Sequence, residues 1–326
     1  MDQHIELHLH LDGAITPEIA RQLAQRQELP LPCEDGAALE AALSVPEDCR
    51  DLNDFLACFA LPLTLLQTPE GLGEAVYLVM ENLRRQGVVY GELRFAPQLH
   101  TRRGMTQEAA VLAAEEGLRR AGLPGGLILC CMRGEDTHRA NLETVELAAA
   151  RLVETGGVVG LDLAGAEALF PTGDYREEFA LAERCHVPCT IHAGEAAGAE
   201  SMWTALDMGA RRLGHGVRWE GDEALLEAIR ERGITLELCP TSNRQTRAVE
   251  DMARYPLEEY LRRGLRVTVN TDDMAICRTT LDGEFRYLRR LMGLTEEQER
   301  RIYENAAAAA FTDEATRAKL RQWAGQ

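Results

Sequence analysis

Lysine is all but missing from this chain. Among 326 residues the only one is Lys319, and arginine carries the rest of the positive charge. Without a strand lysine to carboxylate, the usual bridge of a two-metal barrel hydrolase is excluded, and any metal centre is expected to be mononuclear. Positive charge is also in deficit overall, with 35 Lys+Arg against 53 Asp+Glu and a net charge of -18. Binding nucleic acid requires clustered positive charge. Here arginines form doublets such as Arg84-Arg85, Arg102-Arg103, Arg211-Arg212 and Arg289-Arg290 but never long blocks, and the doublets read as solvated helix faces. No nucleic-acid partner is expected. No apolar run reaches the ~20 residues of a membrane helix, and no secretion-signal apolar region follows Met1, so no membrane partner is expected either. Nine cysteines without a CxxC pair suggest reduced thiols and a cytoplasmic location; the Cys130-Cys131 pair reads as core. Linkers, repeats and low-complexity stretches are absent apart from the alanines at 306–310, expected to be a buried helix turn. Residues 1–326 therefore read as one domain, long enough to bury a large core.

What is present is an alternation. β-type runs are expected at 5–10, 88–95, 127–132, 158–163, 188–192, 212–214, 234–238 and 265–270. Between them, 74–86, 107–121, 142–154, 175–185 and 223–232 have helical apolar spacing, with a glycine after most of these runs. Eight strands alternating with helices predict an α/β fold, a (β/α)8 TIM barrel, with an open doubly wound sheet as the alternative. One connection is too long for an ordinary βα loop: 11–86 holds helical pieces of its own at 16–27 and 52–66. This extended helical insertion after the first strand is either a lid, lined by Phe55, Leu56, Phe59, Leu63, Leu65 and Leu66, or a helix packed on the outside of the barrel.

Of the eight histidines, His8 and His10 form an HxH pair in Glu6-Leu7-His8-Leu9-His10-Leu11-Asp12-Gly13. In a strand, residues two apart share a face, so both imidazoles point inward while Leu7, Leu9 and Leu11 face the helices. Two inward imidazoles need a shared partner, which a metal ion provides; a metal-free HxH is the alternative. His192 ends the fifth strand, His215 follows the sixth, and Asp272-Asp273 follow the eighth. All fall at the C-terminal ends of strands, where barrel active sites are built. His8, His10, His192 and Asp272 form a three-imidazole, one-carboxylate set suited to Zn²⁺, with Fe²⁺ and Co²⁺ as alternatives.

Six motifs follow one another along the chain: His8-Leu9-His10-Leu11-Asp12-Gly13, Leu161-Asp162-Leu163-Ala164-Gly165, His192-Ala193-Gly194-Glu195, Gly214-His215-Gly216, Cys239-Pro240-Thr241-Ser242-Asn243 and Asn270-Thr271-Asp272-Asp273. In this order they resemble the adenosine deaminase family of metal-dependent (β/α)8 hydrolases over essentially the whole length. The resemblance implies one zinc ion per subunit and hydrolysis of adenosine or 2′-deoxyadenosine, a cyclic amidine, to inosine or 2′-deoxyinosine plus ammonia. It implies Asp272 as the group that takes a proton from the attacking water, His215 as its electrostatic stabiliser, and Glu195 as the acid that protonates purine N1. It also implies that His10 lies against the substrate, Asp273 bonds N7, the Gly165 backbone N–H bonds N3, and Asp12 binds the ribose 5′-hydroxyl.

Two positions depart from the family pattern: Met274 replaces a proline, and Ala166 stands where an acidic residue is common. Both are expected to reshape the pocket wall. Related branches act on free adenine, N6-methyl-AMP or aminofutalosine; Asp12 and Ser242-Asn243-Arg244-Gln245-Thr246 look more like the adenosine branch. A nucleotide substrate calls for a phosphate cradle, for which Arg94 and Arg133 are candidates, each alternatively a structural ion pair. The zinc deaminases that combine HxE with PCxxC are excluded, because no PCxxC occurs. Two rivals remain: a purine-binding protein without catalysis, and a hydrolase of another C–N or ester bond.

Overall fold

The alternation becomes eight parallel strands in the computed structural model, which describes residues 3–33, 35–219 and 221–324. The strands are β1 (His4–His10), β2 (Val88–Phe95), β3 (Gly125–Met132), β4 (Val158–Ala164), β5 (Thr190–Ala193), β6 (Arg212–His215), β7 (Thr235–Leu238) and β8 (Arg266–Val269). β1 to β4 pair in order, and so do β5 to β8. Two short seams close the ring: Leu161 bridges to Cys189, and Leu9 to Asp272. At the second seam the His10 N–H donates to the Asp272 carbonyl and the Asp272 N–H to the His8 carbonyl, each at 2.8 Å. The barrel is therefore closed, and the open-sheet alternative falls.

The local signals that start the helices are side-chain caps. Thr16, Thr68 and Thr106 accept hydrogen bonds from Ile19, Gly71 and Ala109 at the starts of Pro17–Arg26, Pro69–Arg85 and Gln107–Arg120. Proline follows the first two caps, where its missing N–H costs nothing. No single helix among the described residues is long and apolar enough to cross a membrane. The main apolar core lies between the strands and their helices and includes Leu9, Leu11, Leu93, Leu129, Leu161 and Leu236. Leu7 packs in a second cluster against Tyr90, Tyr303 and Ala306.

Inside the ring the packing is ionic. Arg94, with no exposed side-chain surface, donates at 2.9 Å to both Asp162 and Glu237. Arg212, also buried, lies 2.6 Å from Glu92 and 2.6 Å from Glu237. The sequence pattern had placed the Arg211-Arg212 pair on a solvated helix face. Arg212 instead belongs to β6 and points inward, because a strand sends neighbouring residues to opposite sides. Arg94 is a structural ion pair rather than a phosphate contact. Removing one partner of such a cluster strands charge away from water. Arg94→Met is expected to lower unfolding stability in urea by about 3–5 kcal/mol; a loss below about 1 kcal/mol would show that water or proton uptake compensates the two carboxylates.

Candidate active site

The C-terminal ends of the strands surround a cavity of about 240 Å³. Its polar floor carries His10, Asp12, His192, Glu195, His215, Asp272 and Asp273, so nearly every residue singled out from the sequence faces one space. His8 lies beneath that floor, fully buried, its ring centroid 4.7 Å from that of His192 and 5.0 Å from that of His215. The opposite wall is apolar: Leu52, Phe55, Leu56, Phe59 and Leu63 of the long insertion close over the cavity. Leu65 and Leu66, expected on the same wall, are buried in the main core instead. The insertion is thus a lid at one end and a packed helix at the other.

The imidazoles are oriented from behind. His8 Nδ1 lies 2.7 Å from a Glu237 carboxylate oxygen, and His192 Nδ1 lies 3.0 Å from one of Asp162. A carboxylate can only accept, so each Nδ1 carries a hydrogen, and in the neutral ring the inward Nε2 is then the nitrogen left free to ligate. His8 Nε2 is buried without a hydrogen bond, although it approaches Asp272 Oδ1 to 3.1 Å. His10 Nε2 lies 3.2 Å from His192 Nε2 and 3.4 Å from Asp272 Oδ1. His8, His192, His215 and Asp272 each offer a donor atom within 4.8 Å of the others. Lone pairs aimed at one point beside a carboxylate are the donor set of a soft-to-borderline divalent cation, and the residues fit one.

The other side chains are held as firmly. Tyr255 donates to Asn243 Oδ1, which turns the amide nitrogen of Asn243 toward His215 Nδ1, 2.9 Å away. His215 Nδ1 therefore accepts, and its hydrogen sits on Nε2, which faces Glu195 at 3.5 Å and Asp272 at 3.9 Å. Both His215 and Asp272 have positive φ, +61° and +62°, a strained backbone found where geometry is imposed by surroundings. Burial, then the Asp272 charge, pushes the Glu195 carboxyl up to about 8. Burial works against Asp272 too, but His8 and His215 hold it well below the usual carboxylate range. Asp273 is pushed well up, by burial and then by Asp272, and its Oδ1 has no hydrogen-bond partner. Burial raises Asp12 to about 6.

Backbone approach is tight at two glycines. Gly165 has φ +109°, closed to most side chains. A Cβ on Gly13 would meet Asp273 Oδ1 at 1.7 Å. Of the two departures, Ala166 does line the cavity, whereas Met274 is buried in the core and lies off its wall. Arg133 touches the wall, but its guanidinium donates to the carbonyls of Phe170 and His192 and to Thr172 Oγ1; it is neither an ion pair nor open to a phosphate.

Sequence reasoning missed the supports. Glu237 and Asp162 sit in Leu-Glu-Leu and Leu-Asp-Leu runs, the same inward alternation that exposed the HxH pair, and the pattern was there to be read. Asn243 lay in a quoted motif without a role, and Glu167 went unremarked.

Fold and site together define a metal-dependent hydrolase on a (β/α)8 barrel. The adenosine deaminase family profile matches residues 4–323. The chain is 48% identical over 314 residues to the adenosine deaminase of Haemophilus ducreyi, covering 94% of this chain and 91% of that one. The chain belongs to the adenosine deaminase family, hydrolases of C–N bonds. Among solved structures, an adenine deaminase from Arthrobacter aurescens superposes with a TM-score of 0.88 at 27% identity, covering 100% and 98% of the two chains. A zinc-bound amidohydrolase from Burkholderia ambifaria gives 0.86 at 23% identity, covering 99% and 89%.

Proposed function

We propose that this protein, as a single domain over residues 1–326, is a zinc-dependent deaminase of adenosine and 2′-deoxyadenosine. Water and the nucleoside give inosine or 2′-deoxyinosine and ammonia. The observation that carries this reading is the convergence of inward imidazole nitrogens and Asp272 on a cavity floor that also presents a protonated Glu195. His8, His10, His192 and Asp272 would hold one zinc ion per subunit. His10 is preferred to His215 as the third imidazole because His215 carries its hydrogen on the nitrogen that faces the site. A bound zinc ion contributes positive charge that brings the pKa of the attacking water toward ~7.

The chain's own groups divide the remaining work. Asp272, held ionised by its neighbours, accepts the proton of the attacking water. His215 Nε2–H donates to the oxygen as charge develops on it. Glu195, kept protonated by burial, donates to purine N1 so that C6 becomes electrophilic. Asp273 meets N7, an acceptor, and so must itself donate, as its raised pKa allows. The Gly165 N–H serves N3, His10 lies against the ring, and Asp12 accepts from the ribose 5′-hydroxyl. The Phe55 and Phe59 wall excludes water from the reacting ring.

A substrate panel of adenosine, 2′-deoxyadenosine, adenine, AMP, N6-methyl-AMP and aminofutalosine tests the reading, followed by loss of purine absorbance with metal-loaded and chelated protein. Metal-dependent conversion of adenosine to inosine with free adenine untouched is expected. Turnover of a different 6-aminopurine instead would move the specificity to Ala166 and its surroundings. Asp12→Ala removes a charged hydrogen-bond acceptor worth about 1.5–3 kcal/mol, so kcat/KM for adenosine should fall about 10- to 100-fold while any adenine activity is spared. Equal losses on both substrates would take Asp12 out of ribose recognition.

A further inference from the structure

The loop that carries Glu195 is tied to one buried carboxylate outside the cavity lining. Glu167, two residues past Gly165, is 2% exposed. Its Oε1 accepts from the Gly194 N–H at 2.8 Å and from Ser201 Oγ at 2.5 Å. Its Oε2 accepts from the N–H groups of Glu195, Ala196 and Ala197 at 3.0, 2.6 and 3.0 Å. Four successive peptide N–H groups converging on one anion form a nest. They belong to the turn between β5 and the helix Ala199–Asp207, and this turn sets the direction of the Glu195 side chain.

We propose that Glu167 is a positioning residue for deamination: its carboxylate clamps the backbone of residues 194–197 so that the Glu195 carboxyl is held toward purine N1. The inference rests on the role proposed above for Glu195. Glu167 does not touch the cavity, so it acts only through that loop. Its chemistry is specific, because both carboxyl edges face donors and only an all-acceptor group satisfies them. Glutamine cannot. With its NH2 on the Oε2 edge it meets three N–H groups. On the Oε1 edge the Ser201 hydroxyl can rotate to accept, but the Gly194 N–H cannot. Either way a buried donor is set against a donor, and the turn must shift. Small displacements of a proton donor are costly, since transfer requires hydrogen-bond reach.

The experiment compares the parent, Glu167→Gln, Glu195→Gln and the double variant, each purified with its metal content measured. Glu167→Gln is expected to keep the parent's metal stoichiometry, to change KM for adenosine less than about threefold, and to lower kcat about 10- to 100-fold, the range for a misplaced proton donor. Added to Glu195→Gln it should slow turnover no further, because residues that act as a unit are not additive. Two results overturn the proposal: a folded Glu167→Gln with kcat within about twofold of the parent, or losses that multiply in the double variant, since either removes the dependence on Glu195. Should Glu167→Gln fail to fold, Glu167→Asp carries the same test, its all-acceptor group drawn back by one methylene. Parent protein that does not deaminate adenosine defeats the reading and the inference together; an active parent with a normal Glu167 variant defeats the inference alone.

Discussion

Glu195→Gln is expected to retain its metal and fold and to lose roughly 10²- to 10⁴-fold in kcat, the usual worth of a positioned general acid. The amide has the carboxyl's shape and can still hydrogen-bond N1, but it has no proton to give. Substrate binding should survive, so the loss belongs in kcat, with KM moved little. The parent's pH profile supplies an independent check. Burial and the neighbouring Asp272 charge push the Glu195 carboxyl up to about 8, so the competent, protonated form predominates below that pH. As pH rises through about 8 the donor is lost and kcat/KM should fall. In the metal-free protein the same shift has a stability sign. The folded state holds a proton that the unfolded chain releases above 4.5, so this group's contribution weakens as pH rises from 4.5 to about 8. Near-parental kcat in the variant would defeat the assignment of Glu195 as the acid.

Chelation should have the second large effect, and on two observables at once. Carboxylates behind His8 and His192 hold their inward nitrogens beside His10 and Asp272, so much of the geometry is built before any ion arrives. Removing the ion should abolish turnover, and one equivalent of Zn²⁺ per chain should restore it. Because the ion binds the folded state alone, thermal stability should drop as well. Free metal at a thousand times Kd is worth about 4 kcal/mol, a shift of several degrees in a chain of this length. Elemental analysis of the protein as isolated decides between Zn²⁺, Fe²⁺ and Co²⁺. Turnover that survives complete metal removal would overturn the metal reading.

Much of this was legible one dimension at a time. Alternation of period two in Leu-His-Leu-His sends both imidazoles inward whatever surrounds them, and glycines after helical runs mark where helices stop. Each strand was found within two residues of its expected bounds, because the apolar runs that define strands are local. Ring closure is not local. The bridge from Leu9 to Asp272 joins residues from opposite ends of the chain, and it is what brings His8 and His10 against Asp272.

The residue types at the site, their inward facing and their place at strand ends were therefore set by the sequence alone. Protonation and orientation were decided by the tertiary structure. Glu237 comes from β7 to hold the tautomer of His8, Asn243 and Tyr255 do the same for His215, and Glu167 crosses from the end of β4 to hold the turn of Glu195. Arg212 was misplaced for the same reason: its doublet resembles a helix surface until Glu92 and Glu237 arrive from other strands to bury it. Periodicity is a property of neighbours along the chain, whereas a hydrogen-bond donor's partner and a charge's compensation depend on groups that only folding brings within about 3 Å.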